Sequence, residues 1–129
     1  MSYNLAFYTY FIGTDSNPAF MIPPLPSETY PCYFFTNNHT ILTQLKKTKW
    51  IAVFIDKQTD DDVIESNMIG KHIKVLPHEY DELKDYDYLC CFDTKLPKVN
   101  VEFVELCIHH YFIQDNKLII FRKHNYPKK

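Results

Sequence analysis

Three stretches of the chain carry residue types that could do chemistry. The first runs Tyr86-Asp87-Tyr88-Leu89-Cys90-Cys91-Phe92-Asp93-Thr94-Lys95. An apolar strand there delivers a carboxylate, Asp93, just past its carboxyl end. In open α/β sheets that is where ligands bind, in the crevice outside the strand ends. A carboxylate so placed can hold a divalent cation, Mn²⁺ or Mg²⁺, against a diphosphate. A second acid two residues on would complete an Asp-x-Asp pair, but that position holds Lys95. The plain alternative is that Asp93 caps a turn or a helix.

The second stretch is Lys71-His72-Ile73-Lys74-Val75-Leu76-Pro77-His78. On a helix Lys71 and Lys74 lie three apart, so both ammonium groups can project to one side and hold a diphosphate. An ordinary solvated helix face explains the same spacing. The third stretch is Phe121-Arg122-Lys123-His124-Asn125-Tyr126-Pro127. His124 there could ligate a metal or contact phosphate, although a lone histidine is more often structural. His109 and His110 are adjacent on a helix and cannot offer both rings to one ion, so one is expected in the core and one on the surface. A phosphate-cradling glycine loop is excluded, because the chain has only two glycines. Neither a Gly-x-Ser-x-Gly elbow nor a zinc-spaced Cys/His set is present.

These stretches need elements to position them. Leu5–Ile12 reads as a buried strand that breaks at Gly13-Thr14-Asp15. Five of the eight prolines fall between Pro18 and Pro31, which makes that segment an extended loop. Cys32–Thr36 is a short strand closed by Asn37-Asn38, and Trp50–Ile55 is another. A helix over Asp62–Leu76 starts on Asp62 as N-cap, with Glu65 completing a capping box. Along it Ile64, Met68, Lys71 and Val75 share one face, with Ile69, His72 and Ile73 beside it. Tyr86–Phe92 is a strand, Val101–Phe112 a helix and Leu118–Phe121 a last short strand. The leading strands should bury Phe7, Leu89 and Cys91. Strands alternating with helices predict an α/β domain with a mostly parallel sheet. With no repeat and no boundary signal, residues 1–129 form one domain.

Bulk properties narrow the function further. With 46% hydrophobic and 16% aromatic residues, the chain can build a core that disordered chains cannot. A net charge of −2 argues against an electrostatic nucleic-acid binder. Nothing approaches the roughly 20 apolar residues that span a bilayer. Met1–Phe11 lacks the pattern of a signal peptide, and Cys32, Cys90, Cys91 and Cys107 lack the spacing of a secreted disulfide framework. Reduced thiols in a cytoplasmic compartment are expected. Abundant Tyr, Phe, Asn, Ile and Lys suit an AT-rich genome, such as that of a large DNA virus, whose protein would work in the host cytoplasm.

Taken in order, these segments resemble a family of glycosyltransferase-like proteins formerly of unknown function. It includes plant mucilage- and wall-type enzymes with bacterial and large-virus relatives. The resemblance rests on Tyr8-Thr9-Tyr10-Phe11-Ile12-Gly13-Thr14-Asp15, Tyr33-Phe34-Phe35-Thr36-Asn37-Asn38, Lys71 to His78, Tyr86 to Lys95 and Arg122-Lys123-His124. It implies the nucleotide-binding half of the glycosyltransferase type A fold, covering the N-terminal part only. It also implies a nucleotide-sugar as ligand. Thr9, Thr14 and Asp15 would contact the nucleoside, Lys71, Lys74 and Lys95 would face substrate, and Asp93 with His124 would hold the divalent metal. Two departures stand out. The family usually has Arg where Lys71 stands, and Lys grips phosphate only as a point charge. The chain also stops after Pro127, where the family continues into an acceptor-binding region. The competing reading is a non-catalytic relative that acts as a protein-interaction module. Sugar, acceptor and oligomeric state are not legible in the sequence.

Overall fold

The computed structural model describes residues 3–13, 22–57, 63–92 and 99–115. Four strands, β1 (Leu5–Phe11), β2 (Cys32–Thr36), β3 (Ile51–Phe54) and β4 (Tyr88–Cys91), form one sheet. Their order is β3-β2-β1-β4, and each neighbouring pair is parallel. Helix α1 spans His39–Leu45, α2 spans Val63–Val75, and α3 spans Val101–Cys107 before widening into a π-helix over Ile108–Gln114. A 3-10 turn, Pro77–Glu79, follows α2. The α/β arrangement expected from the alternating pattern is the one adopted.

Parallel strands cannot be joined by hairpins, so every return must cross a face of the sheet. Alternation along β1 supplies a core to each face. Leu5 and Phe7 pack with Phe34, Ile41, Leu45, Trp50 and Ile108, under α1 and α3. Ala6 and Tyr8 pack with Phe35, Ile73 and Leu83, under α2 and the turn that follows it. The β2–β3 and β3–β4 connections run in opposite directions across the sheet. Their helices lie on opposite faces, as crossovers of one hand require.

The strands match the expected segments to within two residues at each end. Two elements differ. Asn37-Asn38 does close β2, but Asn38 also caps a helix that the sequence pattern does not mark. Its side chain accepts a hydrogen bond from the Ile41 amide at 2.9 Å, and Ile41 and Leu45, one turn apart, are buried. The helix from Val101 runs beyond Phe112, and His109 and His110 are both exposed. Phe7 is fully buried, whereas Leu89 and Cys91 are only half-buried. The reason is position, since β4 is an edge strand among the described residues. None of the four cysteines forms a disulfide. Asp62 and Leu118–Phe121 lie outside the described residues.

Helix α2 presents Ile69, Gly70 and Ile73 to the sheet. Its other apolar stripe faces out, with Ile64, Met68 and Val75 exposed by 74%, 67% and 58%. Gly70 permits the close approach, because a Cβ there would sit 2.5 Å from Cε2 of Tyr10. In an open helix, Gly→Ala is stabilising by up to about 1 kcal/mol. Here the Tyr10 ring must shift, so Gly70→Ala should instead cost about 1–3 kcal/mol by overpacking. Urea denaturation of the two proteins decides the sign.

Burial pushes the Cys90 thiol up to about 12 from an ordinary 9.0, with smaller contributions from neighbouring Cys91 and Cys107. The folded state therefore holds this thiol neutral where the unfolded chain ionises it. Its contribution to stability is complete below pH 9 and is lost as pH rises toward 12. Unfolding free energy should fall across that window, and native Cys90 should resist iodoacetamide at pH 8. A flat stability profile from pH 9 to 11, or rapid native alkylation, would count against this.

Candidate functional site

Because all four strands are parallel, their carboxyl ends share one edge of the sheet. The chain proceeds from β1 outward to β2 and β3, then returns to place β4 on the other side of β1. Strand order thus reverses between β1 and β4. Open α/β sheets bind ligands at the carboxyl edge where strand order reverses.

The buried polar side chains Thr9, Thr36, Asn37 and Asn38 all lie in the carboxyl-terminal halves of β1 and β2 or just beyond. Each is committed to a hydrogen bond. Thr9 Oγ1 donates to the carbonyl of Phe92 at 2.6 Å, and the Phe92 amide donates to Tyr8 O at 3.3 Å. The residue before Asp93 is therefore fastened to β1. Asn37 Oδ1 accepts from the Gly13 amide at 3.0 Å, while its Nδ2 donates to Lys57 O at 2.8 Å. One side chain thereby ties the exit of β1 to the exit of β3. Thr36 Oγ1 accepts from the Asn38 amide at 3.1 Å, which turns the chain into α1. The His39 ring lies against Phe54 with centroids 4.8 Å apart.

The expected site residues divide three ways. Thr9 is at the carboxyl edge, but it is 1% exposed and its hydroxyl is spent on Phe92. It positions the strand end and is not presented to a ligand. Thr14, Asp15, Asp93, Lys95 and His124 lie outside the described residues. The anchored neighbours Gly13 and Phe92 hold the roots of two of those segments at adjacent strand ends. Lys71 and Lys74 are exposed on α2. A helix joining parallel strands must run antiparallel to them, and α2 does. Gly70 packs on Tyr10, while the Lys74 carbonyl accepts from the Tyr8 hydroxyl at 2.8 Å. Lys74 is thus at mid-sheet on the outer face, turned from the carboxyl edge. Among the described residues, no group of three His, Cys, Asp or Glu side chains could hold a metal ion.

Asn37 is the residue that the motif reading missed as a possible organiser of the edge. Its signal was present, since two asparagines directly after a β-rich run mark a turn whose side chains bond local backbone. A separate cleft of about 310 Å³ opens at the amino ends of β2 and β3. It is lined by Ser27, Tyr30, Cys32 and Ile51 and flanked by the Lys49–Glu28 ion pair at 2.9 Å. That ion pair is well exposed and contributes little. The cleft faces away from the carboxyl edge.

Thr9→Val keeps the shape of the side chain and removes its donor. Loss of this buried hydrogen bond to the Phe92 carbonyl should cost about 1–3 kcal/mol. Amide exchange should accelerate at Phe92 more than in β2. Equal stability of the variant, or exchange raised uniformly, would show that the bond does not anchor the end of β4.

No protein-family model, curated protein or solved structure matches the chain.

Proposed function

We propose that the carboxyl edge between β1 and β4 binds a nucleotide-sugar together with a divalent cation, in the manner of a glycosyltransferase. The observation that carries this reading is the reversal of strand order at β1 and β4 in an all-parallel sheet. The roots of the Thr14-Asp15 and Asp93-Lys95 segments are fastened at those neighbouring strand ends through Gly13 and Phe92. In this reading Asp93 and His124 ligate Mn²⁺ or Mg²⁺, and the metal neutralises the diphosphate. Lys95 adds a cation where a second carboxylate would otherwise stand, while Thr14 and Asp15 meet the nucleoside. Thr9 acts through Phe92 by fixing the strand end. Lys71 and Lys74 have no part in it, because α2 carries them on its outer face.

A second reading, a non-catalytic interaction module, is favoured by a different observation. Large apolar side chains are exposed on α2 and on the outer face of α3 and its π-helical continuation, including Phe103, Leu106, Tyr111 and Ile113. Scattered exposed apolar residues are ordinary, but rows of them along helices mark contact surfaces.

Thermal denaturation against a panel of nucleotide-sugars, with and without Mn²⁺, separates the two. A ligand present at 100 times its dissociation constant stabilises the native state by about 2.7 kcal/mol. The stabilisation should require Mn²⁺ and vanish in Asp93→Ala without loss of the fold. Silence across the whole panel, or an undiminished shift in Asp93→Ala, would leave the interaction module as the better account.

A further inference from the structure

One motif of the chain has no place in the nucleotide-sugar reading. Asn38-His39-Thr40 is the only Asn-x-Ser/Thr triplet in the 129 residues. Such a triplet is the acceptor for an N-linked glycan, and a used one lies on a surface loop of a secreted protein. In this fold it lies elsewhere. Asn38 sits between the end of β2 and the start of α1 and is 2% exposed. Thr36 and Ile41 on either side of it are buried as well.

Three groups of Asn38 shape the turn. Its amide donates to Thr36 Oγ1 at 3.1 Å, and its carbonyl accepts from the Leu42 amide at 3.0 Å. Its side-chain oxygen accepts from the Ile41 amide at 2.9 Å. The preceding residue, Asn37, ties the exits of β1 and β3 together. A substituent on the Asn38 side chain is therefore added inside this turn, and a displaced turn disturbs the carboxyl edge as well.

Glycan transfer forms a bond from Nδ2 to C1 of the first sugar. The C1–oxygen bond to a lipid diphosphate breaks, the diphosphate leaves, and Nδ2 gives up one proton. The product carries an oligosaccharide that must reach water. A side chain 2% exposed cannot deliver it there unless the β2–α1 turn opens, which removes the cap of α1. Access fails before that step too. The transferase takes its triplet from reachable, irregular chain, whereas His39 and Thr40 already form the first turn of α1. We infer that Asn38-His39-Thr40 is a glycan acceptor in the unfolded chain alone, and that a glycan there and the folded domain exclude one another. In the lumen of the endoplasmic reticulum the transfer occurs as a chain emerges, before burial protects Asn38. The domain therefore belongs to a compartment outside that lumen, where the triplet is not read. Applied to the nucleotide-sugar reading, on which this one step rests, the donor is drawn from outside the lumen.

Two arms test the exclusion with the full chain. In the first, the chain carries a cleavable signal peptide and is translated into endoplasmic-reticulum microsomes under reducing conditions. Part of it should gain a glycan that peptide N-glycosidase removes and that Thr40→Ala lacks. Thr40 is exposed, so this variant keeps the Asn38 cap and the fold. Trypsin should digest the glycosylated molecules about tenfold faster, or more, than the unmodified ones beside them. In the second arm, purified folded protein meets oligosaccharyl transferase and a lipid-linked oligosaccharide. It should stay unmodified, while a peptide of residues 34–42 is modified. A chain that accepts no glycan in microsomes overturns the inference. So does equal digestion of the two forms, or modification of the folded protein at the rate of the peptide. None of these outcomes depends on ligand binding at the carboxyl edge, which the thermal denaturation series tests separately.

Discussion

The seam between β1 and β4 is the contact on which the rest of the molecule depends. It joins strands that are far apart in sequence, and the Thr9–Phe92 bond spans 83 residues. Closing a loop of that length costs roughly 4 kcal/mol of chain entropy, beyond the fixed cost of the first contact. A single net hydrogen bond, worth about 1 kcal/mol, cannot offset that. The seam is accordingly fastened along its length. Asp87 and Tyr88 amides donate to Asn4 O at its start, four residue pairs run in register, and Thr9 closes its end. Without it β4 has no partner strand among the described residues, and the reversal of strand order disappears.

The same seam explains how the two cores are shared. Among the described strands β1 has the longest unbroken buried run, Leu5 to Thr9, because it lies between neighbours and beneath helices on both faces. Aromatic rings fill much of both layers, as Phe34 against Trp50 at 5.6 Å and Phe35 against Tyr80 at 5.4 Å illustrate. Large flat side chains hold a helix away from a sheet unless the helix offers a recess. Gly70 is that recess, and Tyr10 occupies it. The helix it docks then returns the chain to β4, so the fit at one glycine supports the seam on the other side of β1.

Much of this was legible in the residues, and the parts that were not share a cause. Continuous apolar runs marked all four strands, since strands buried on both faces lose their alternation. Helix α1 is not legible in the sequence, because its seven residues include two threonines, a histidine and a glutamine, and only Ile41, Leu42 and Leu45 are apolar. The capping asparagine outweighed that weak periodicity. The half-burial of Leu89 and Cys91 was likewise invisible, as it depends on which strand sits at the edge. For the candidate site, the sequence placed Thr9 at a strand end, but not the hydroxyl's engagement with Phe92. Local pattern describes an element, whereas neighbours decide what its side chains can reach.

The lysines of α2 make that distinction concrete. Spacing alone puts Lys71 and Lys74 on one side of a helix, and an anion could use them there. Parallel topology adds a constraint that spacing does not contain. A crossover helix runs against its strands, so its amino-terminal half lies toward the carboxyl edge, with Gly70 level with Tyr10. In α2 that half carries the acid Glu65, and Lys71 and Lys74 follow about two turns later, both exposed. A diphosphate at the carboxyl edge must therefore draw positive charge from the segments leaving the strands, where Lys57 and Lys95 stand, or from a bound cation. The polarity of α2 thus separates two surfaces that a reading of motifs alone would merge, the strand-end crevice and the outer stripe on the helix.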